Sequence, residues 1–269
     1  MAPEDIRPKE SPLPEAGRNA RQDGQKGIDM KRLGVIGGLG PMATVYFLQL
    51  VTQMSLADTD QEHMEIFLHS NPQIPDRTRF ILGQSQENPL PMMIEAGRGL
   101  ARWGAELIAV PCVTAHYFHG KLEEGIGLPM INTPVETAKC LKEEGISRAG
   151  IMATDGTVAS GLLQKALEAW GIQCVLPDRE GQKKVMSLIY EDVKAGRPAD
   201  LGRLQEVSGQ LFGAGAEAVL LACTELSLVK RDFPLGPGFL DVLEVLARSA
   251  VVSCGRLKGE YKSLITRQQ

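Results

Sequence analysis

From Leu33 onward, short apolar runs alternate with longer stretches whose apolar residues recur every three or four positions. The runs at 33–36, 65–68, 107–110, 130–131, 149–152, 173–176 and 218–221 have the length of buried strands. The stretches at 43–56, 91–103, 134–144, 160–169, 181–195 and 201–214 have the helical period, and a further apolar helix is expected over 239–252. This rhythm predicts βαβ units and a mostly parallel sheet. Residues 1–30 carry almost nothing apolar and are rich in Pro, Gly, Glu, Arg and Lys, so they read as a disordered extension. Met30-Lys31-Arg32-Leu33 resembles a natural start to the first strand.

The chain also repeats itself. Gly104-Ala-Glu-Leu-Ile-Ala-Val-Pro-Cys112-Val113-Thr114 returns as Gly215-Ala-Glu-Ala-Val-Leu-Leu-Ala-Cys223-Thr224-Glu225, with the two cysteines in register. A second echo pairs 33–44 with 149–160, each a short strand running through a glycine-containing turn into a helix. Duplication predicts an α/β protein of two pseudo-symmetric lobes, each a mostly parallel sheet flanked by helices. The first lobe is expected over 31–128 with 226–269 returning to it, and the second over 129–225. Ligands of open parallel sheets bind beyond the carboxyl ends of the strands. Cys112 and Cys223 both fall at such ends, which puts them on opposite sides of an inter-lobe cleft.

Composition narrows the class. With 43% hydrophobic and 23% charged residues, the chain reads as a soluble globular protein. A formal charge of −4 gives no electrostatic reason to expect nucleic acid or an anionic membrane as partner. No apolar run approaches the roughly 20 residues of a spanning helix, and the N-terminus lacks the basic-then-apolar order of a signal peptide. Five scattered cysteines without a Cys-x-x-Cys pair argue against a disulfide scaffold or zinc site, so a reduced, cytoplasmic setting is expected.

Two thiols facing one carbon suit a particular chemistry: removal of an α-hydrogen on one side and its return on the other. A thiol and a thiolate can exchange these roles, and strand-to-helix turns are suited to tuning them. Taken singly, a strand-end cysteine is more often a small apolar filler; the matched positions shift that balance. Cys140, Cys174 and Cys254 have no echo and read as structural. Thr114 and Thr224 can hydrogen-bond a thiolate or a substrate carboxylate, while Glu225 and His116 stand where they can alter their neighbours' basicity, one per half. Thr154 and Thr157 either line the cleft or cap a helix. The glycines at 34, 37, 38 and 40 do not form a dinucleotide fingerprint and read as a tight turn whose N–H groups approach a carboxylate. His63, His69 and His119 show no metal-ligand spacing. With no metal cluster and no pyridoxal-type lysine context, the simpler reading needs no cofactor.

Gly-Val-Ile-Gly-Gly-Leu-Gly-Pro-Met-Ala-Thr44, Asp-Thr-Asp-Gln-Glu-His63, Asn-Pro-Gln-Ile-Pro-Asp-Arg-Thr78, Pro-Cys-Val-Thr-Ala-His116, Ala-Thr-Asp-Gly-Thr157 and Cys-Thr-Glu-Leu226 occur in this order. Together they resemble the aspartate/glutamate racemase superfamily, most closely its aspartate racemase branch, from about Leu33 to Val252. The resemblance implies cofactor-independent racemisation by Cys112 and Cys223, a small amino-acid substrate and commonly a homodimer. It also implies that Arg77 anchors the substrate and that Lys194 is a second cation; without it, Arg77 reads as a surface arginine and Lys194 as a solvated helix-end lysine. The family's Cys-Asn-Thr is here Cys112-Val113-Thr114, and Leu240-Asp241-Val242-Leu243 stands where the family tends to have Asp-Ser-Thr. Loss of one hydrogen bond to a charged group costs on the order of 1.5–3 kcal/mol, which puts weight on Val113 as a substrate-side residue. Aspartate is the expected substrate. The alternatives are glutamate or another amino acid, or a catalytically degenerate amino-acid-binding protein.

Overall fold

The computed structural model describes residues 30–266; the extension expected over 1–30 lies outside the described residues apart from Met30. Two parallel sheets carry the fold. The first contains β1 (Leu33–Gly37), β2 (Ile66–Ser70) and β3 (Leu107–Ala109), ordered β2-β1-β3. The second contains β4 (Arg148–Met152), β5 (Gln173–Val175), β6 (Ala218–Leu221) and β7 (Phe239–Asp241), ordered β5-β4-β6-β7. Met130 adds a single parallel bridge beside Ile108, in the position that β7 occupies in the second sheet. The two sheets therefore have the same order of connection, as the internal echo predicts.

The first half supplies α1 (Pro41–Met54), α2 (Arg77–Ile81), α3 (Leu90–Trp103), α4 (His119–Ile126) and α5 (Thr133–Glu143). The second supplies α6 (Asp155–Ser160), α7 (Leu162–Ala169), α8 (Arg179–Ser187), α9 (Leu201–Gly213), α10 (Thr224–Asp232) and α11 (Val242–Cys254). The helix expected over 160–169 is α7, with α6 before it: Gly161, at φ 67°, breaks the chain between them. Over 181–195 the α-helix gives way to a π-helical turn at Leu188–Val193. Residues 239–241 form β7, and the helix expected from 239 begins only at Val242. The short helices α2, α4 and α10 and the 3-10 helix Val113–Phe118 had no clear period to announce them.

The repeated Gly-Ala-Glu has one local use in both halves. Gly104 and Gly215 lie in the left-handed region, at φ 106° and 89°, and an added Cβ would meet the side chains of Arg32 and Arg148. The glutamate that follows holds the entry to the neighbouring strand. Glu106 accepts from Arg32 N at 3.0 Å, and Glu217 accepts from Ser147 N at 2.9 Å.

Each half gives its last helix to the other. Helix α11 packs with α1 in the core of the first sheet, through Leu243, Leu246, Ala250 and Val251. Helix α5 puts Ala138, Cys140 and Leu141 into the core of the second sheet with β4, β6 and α7. Asn132 caps α5 through Val135 N, and Asp241 caps α11 through Leu243 N. The segment 226–269 is thus divided: β7 extends the second sheet while α11 covers the first.

The halves meet closely where α6 passes α2. A Cβ on Gly156 would stand 2.8 Å from Thr78 Cα, so only glycine permits this approach. Gly156→Ala is expected to destabilise the fold by about 1–3 kcal/mol through overpacking, seen as a fall of several degrees in Tm. An unchanged melting temperature would show that the halves are not in such contact.

Candidate active site

Cys112 lies just beyond β3, and Cys223 just beyond β6, at the N-cap of α10. Both are free thiols and both are buried. They line one small cleft between the halves, together with Arg77, Val113, Thr114, Lys194, Thr224 and Glu225. The two thiols and the six residues expected on the substrate side are therefore gathered at one place, while His116 is not among the residues lining it. Leu39, Asp76, Thr78, Thr154 and Tyr190 complete the wall. Of these, Asp76 and Tyr190 had no sequence signal beyond proximity to Arg77 and Lys194.

On the Cys112 side the neighbour is a cation. Arg77 begins α2, whose N-cap Asp76 accepts from Arg79 N. One terminal nitrogen of Arg77 donates to the carbonyls of Ile74 and Pro75 at 3.3 and 3.0 Å. The other donates to Leu39 O at 3.1 Å and points to Cys112 Sγ at 3.9 Å. Burial alone would lower the guanidinium pKa, but Cys112 and Asp76 raise it overall. The outer fork expected to grip a substrate carboxylate is thus turned onto the chain's own carbonyls and thiol, leaving a buried Nε without a partner.

On the Cys223 side the neighbour is an anion. Cys223 Sγ donates to Glu225 Oε2 at 2.9 Å, and Lys194 Nζ meets Glu225 Oε1 at 2.9 Å. Burial and the Glu225 charge push the Cys223 thiol well above its usual value, against the opposing effect of Lys194. Burial would lower the Lys194 pKa, yet Glu225 and the cleft thiols raise it. The glycine turn after β1 makes room for this group: a Cβ on Gly40 would lie 3.1 Å from Glu225 Oε1. The π-helical turn carries Tyr190, whose ring lies under Lys194 Nζ at 5.3 Å. Its hydroxyl donates to Asp76 Oδ2 at 3.3 Å, joining the two halves in the cleft wall. Burial pushes the Tyr190 pKa up to about 12.

Beside the cleft, four threonine hydroxyls join the halves. Thr114 contacts Thr157 at 2.8 Å and Thr154 at 3.2 Å; Thr154 contacts Thr157 at 3.1 Å and accepts from Thr78 at 3.2 Å. Thr154 also caps α6 through Thr157 N, so it serves both roles the sequence left open. His116 faces away from either thiol: its Nε2 meets Thr133 Oγ1 at 2.8 Å, and burial brings its pKa down to about 3. Asp241 lies outside the cleft, accepting from Ser227 at 2.6 Å, with burial pushing its carboxyl up to about 7. Among the described residues no cluster of His, Cys, Asp and Glu could hold a metal ion, and no helix is long and apolar enough to cross a membrane.

The sequence profile of the family "Asp/Glu/Hydantoin racemase" matches residues 36–250. The chain belongs to this family. It is an amino-acid racemase, an isomerase. The fold matches a Picrophilus torridus aspartate racemase with a TM-score of 0.71 and 31% identity, covering 86% of this chain and 98% of that one. The Bacillus subtilis (strain 168) protein named broad specificity amino-acid racemase RacX is 24% identical over 225 residues, covering 81% of this chain and 96% of RacX. A Francisella tularensis glutamate racemase, solved with D-glutamate, shares the fold at a TM-score of 0.59 and 16% identity, over 84% of this chain and 81% of that one. In this racemase, both thiols and both expected cations border the same cleft.

Burial of a neutral His116 has a consequence for stability. The unfolded chain takes up a proton near pH 6.5, whereas the folded ring resists it down to about pH 3. Its stabilising contribution is complete above pH 6.5 and is lost as pH falls through that window, at up to ~1.4 kcal/mol per pH unit. His116→Asn is expected to flatten this slope relative to the parent in denaturant unfolding from pH 7 to 4. Equal slopes in the two proteins would contradict it.

Proposed function

We propose that this racemase inverts the α-carbon of an amino acid without a cofactor, with Cys112 and Cys223 as acid and base on opposite faces. The observation that carries the reading is the placement of the two thiols, from equivalent strand ends of the two halves, on one cleft. A substrate lying between them would present its Cα–H to one sulfur. That sulfur takes the proton, the other delivers its own to the opposite face, and the configuration inverts. The threonine hydroxyls and Lys194 offer hydrogen bonds to the carboxylates of a bound amino acid. Aspartate is the substrate the sequence motifs favour, and the Picrophilus torridus aspartate racemase supports it. The name of RacX, a broad specificity racemase, keeps other amino acids in play.

Cys112→Ala and Cys223→Ala should each lower racemisation in both directions by about 10²–10⁴-fold. Chiral chromatography of aspartate incubated without added cofactor is the measurement, and undiminished turnover in either variant would reject the paired-thiol assignment. In D₂O the parent should exchange the Cα proton for deuterium; a protein that merely binds amino acids would not.

Val113 is 5% exposed and packs with Ala138, Leu141 and Val242 while lining the cleft. An asparagine here restores an amide to the wall. Val113→Asn is expected to tighten aspartate binding roughly tenfold, as one hydrogen bond to a charged group would. Calorimetric titration checks this, and unchanged or weaker binding counts against Val113 as a substrate-side residue.

A further inference from the structure

Tyr190 and Lys194 reach the cleft from a stretch that leaves α-helical pairing, the π-helical turn Leu188–Val193 and the residue after it. Two backbone bonds there span five residues, Lys194 N to Ile189 O at 2.9 Å and Arg197 N to Asp192 O at 2.8 Å. The wider turn takes up more chain than an α-helical one. Closing it by one residue would rotate all that follows by roughly 100° about the axis, enough to carry Lys194 away from Glu225. The apolar side of the turn does not decide between the two forms. Leu188 and Ile189 are buried in one cluster with Leu204, Val207 and Leu211 of α9, and apolar contact is non-directional.

The polar side does decide. Arg203 of α9 donates from one terminal nitrogen to Ser187 Oγ at 2.7 Å and to Asp192 Oδ2 at 3.3 Å. Ser187 and Asp192 are five residues apart. In an α-helix such residues stand roughly 140° apart around the axis, whereas the five-residue pairing of a π-helical turn brings them to one side. The wider form thus puts both within reach of a single nitrogen. Asp192 is held a second time, by Asp200 N at 3.2 Å, and Asp200 Oδ2 meets Arg203 Nε at 3.2 Å. Ser187 in turn donates to Glu191 Oε2 at 2.6 Å. The Asp192 side chain is only 13% exposed, so its ion pair with Arg203 is partly shielded from water.

We infer that Arg203, which does not line the cleft, is a positioning residue of this racemase: it bridges Ser187 and Asp192, keeps the 188–193 turn π-helical, and so holds Lys194 Nζ at Glu225 and over the Tyr190 ring. This rests on the reading of Lys194 as a substrate-side cation and extends it to a residue on another helix. Arg203 touches no reacting atom; its effect passes through Lys194. Lysine at 203 keeps the charge but lacks the second nitrogen given to Asp200, which makes it a partial substitute.

Hydrogen exchange read by mass spectrometry, on the full chain without any amino acid present, tests the brace itself. In Arg203→Ala the peptide spanning 188–197 should exchange at least ~10-fold faster than in the parent, with β1, β3 and α11 altered by less than about twofold. Asp192→Asn, a milder change that serves if Arg203→Ala does not fold, should accelerate the same peptide about threefold; Arg203→Lys should fall between parent and Arg203→Ala. Unchanged exchange over 188–197, or equal acceleration throughout the chain, would overturn the brace. Kinetics with aspartate separates positioning from a merely structural role. Arg203→Ala should raise KM about tenfold with kcat within about threefold of the parent. Lys194→Met should raise KM as well, and adding Arg203→Ala to it should change KM by less than about twofold, because no ammonium is left to place. Effects that multiply in the double variant, or a fall in kcat at unchanged KM, would reject Arg203 as a positioning residue. The two arms fail separately. Faster exchange over 188–197 in a protein that does not racemise aspartate removes the aspartate racemase reading and leaves the brace standing; racemisation with unchanged exchange removes the brace alone.

Discussion

Two sheets that share no strand must bring two sulfurs to one small cleft, and the contact that registers them is polar. Thr78 and Thr114 come from the first half, Thr154 and Thr157 from the second, and their hydroxyls satisfy one another in buried space beside the cleft. Buried hydroxyls left unpaired would be costly, so a displacement of one half against the other is opposed by several groups at once. Gly156 lets the backbones of α6 and α2 approach closely enough for the cluster to close. An apolar seam of the same area would tolerate sliding. A hydroxyl cluster has donors and acceptors in fixed places and tolerates much less.

The exchange of end helices serves the same purpose on a larger scale. Each sheet would expose an apolar face if its half folded alone. That face is covered by α11 in the first sheet and by α5 in the second. The hydrophobic effect thereby ties the halves together through two separate helices, while the strand ends between them remain free to form a cleft. Cys140 and Cys254 belong to these exchanged helices and are buried in them, which accounts for both as packing residues.

Electrostatics then makes a nearly symmetric frame asymmetric. The cleft holds two cations and two anions, and they do not lie in mirror positions. Arg77 stands at one sulfur, Glu225 with Lys194 at the other, and Asp76 and Tyr190 join the halves in the cleft wall. Inverting a stereocentre calls for one group to give while the other takes. In the proposed paired-thiol reaction, like thiols in unlike surroundings would meet that need.

Much of this was legible before any coordinates. The βαβ rhythm and the duplicated Gly-Ala-Glu…Cys segment predicted the class of fold and a shared cleft for Cys112 and Cys223, because period and repetition are local properties of a chain. The motifs carried Arg77 and Lys194 to the same cleft by likeness to a family, while Glu225 followed from its place beside Cys223. Short helices such as α2 and α10 escaped, since a stretch of five to nine residues holds too little period to stand out from the turns around it. What Arg77 touches was not readable either: its nitrogens meet carbonyls of Leu39, Ile74 and Pro75 and one distant sulfur, a set assembled only by folding. The same holds for His116, close to Cys112 in the chain but turned toward Thr133. Sequence alone pointed to the two thiols that share a cleft; the tertiary structure decided which charge each one faces, because charge contacts depend on distances between segments far apart along the chain.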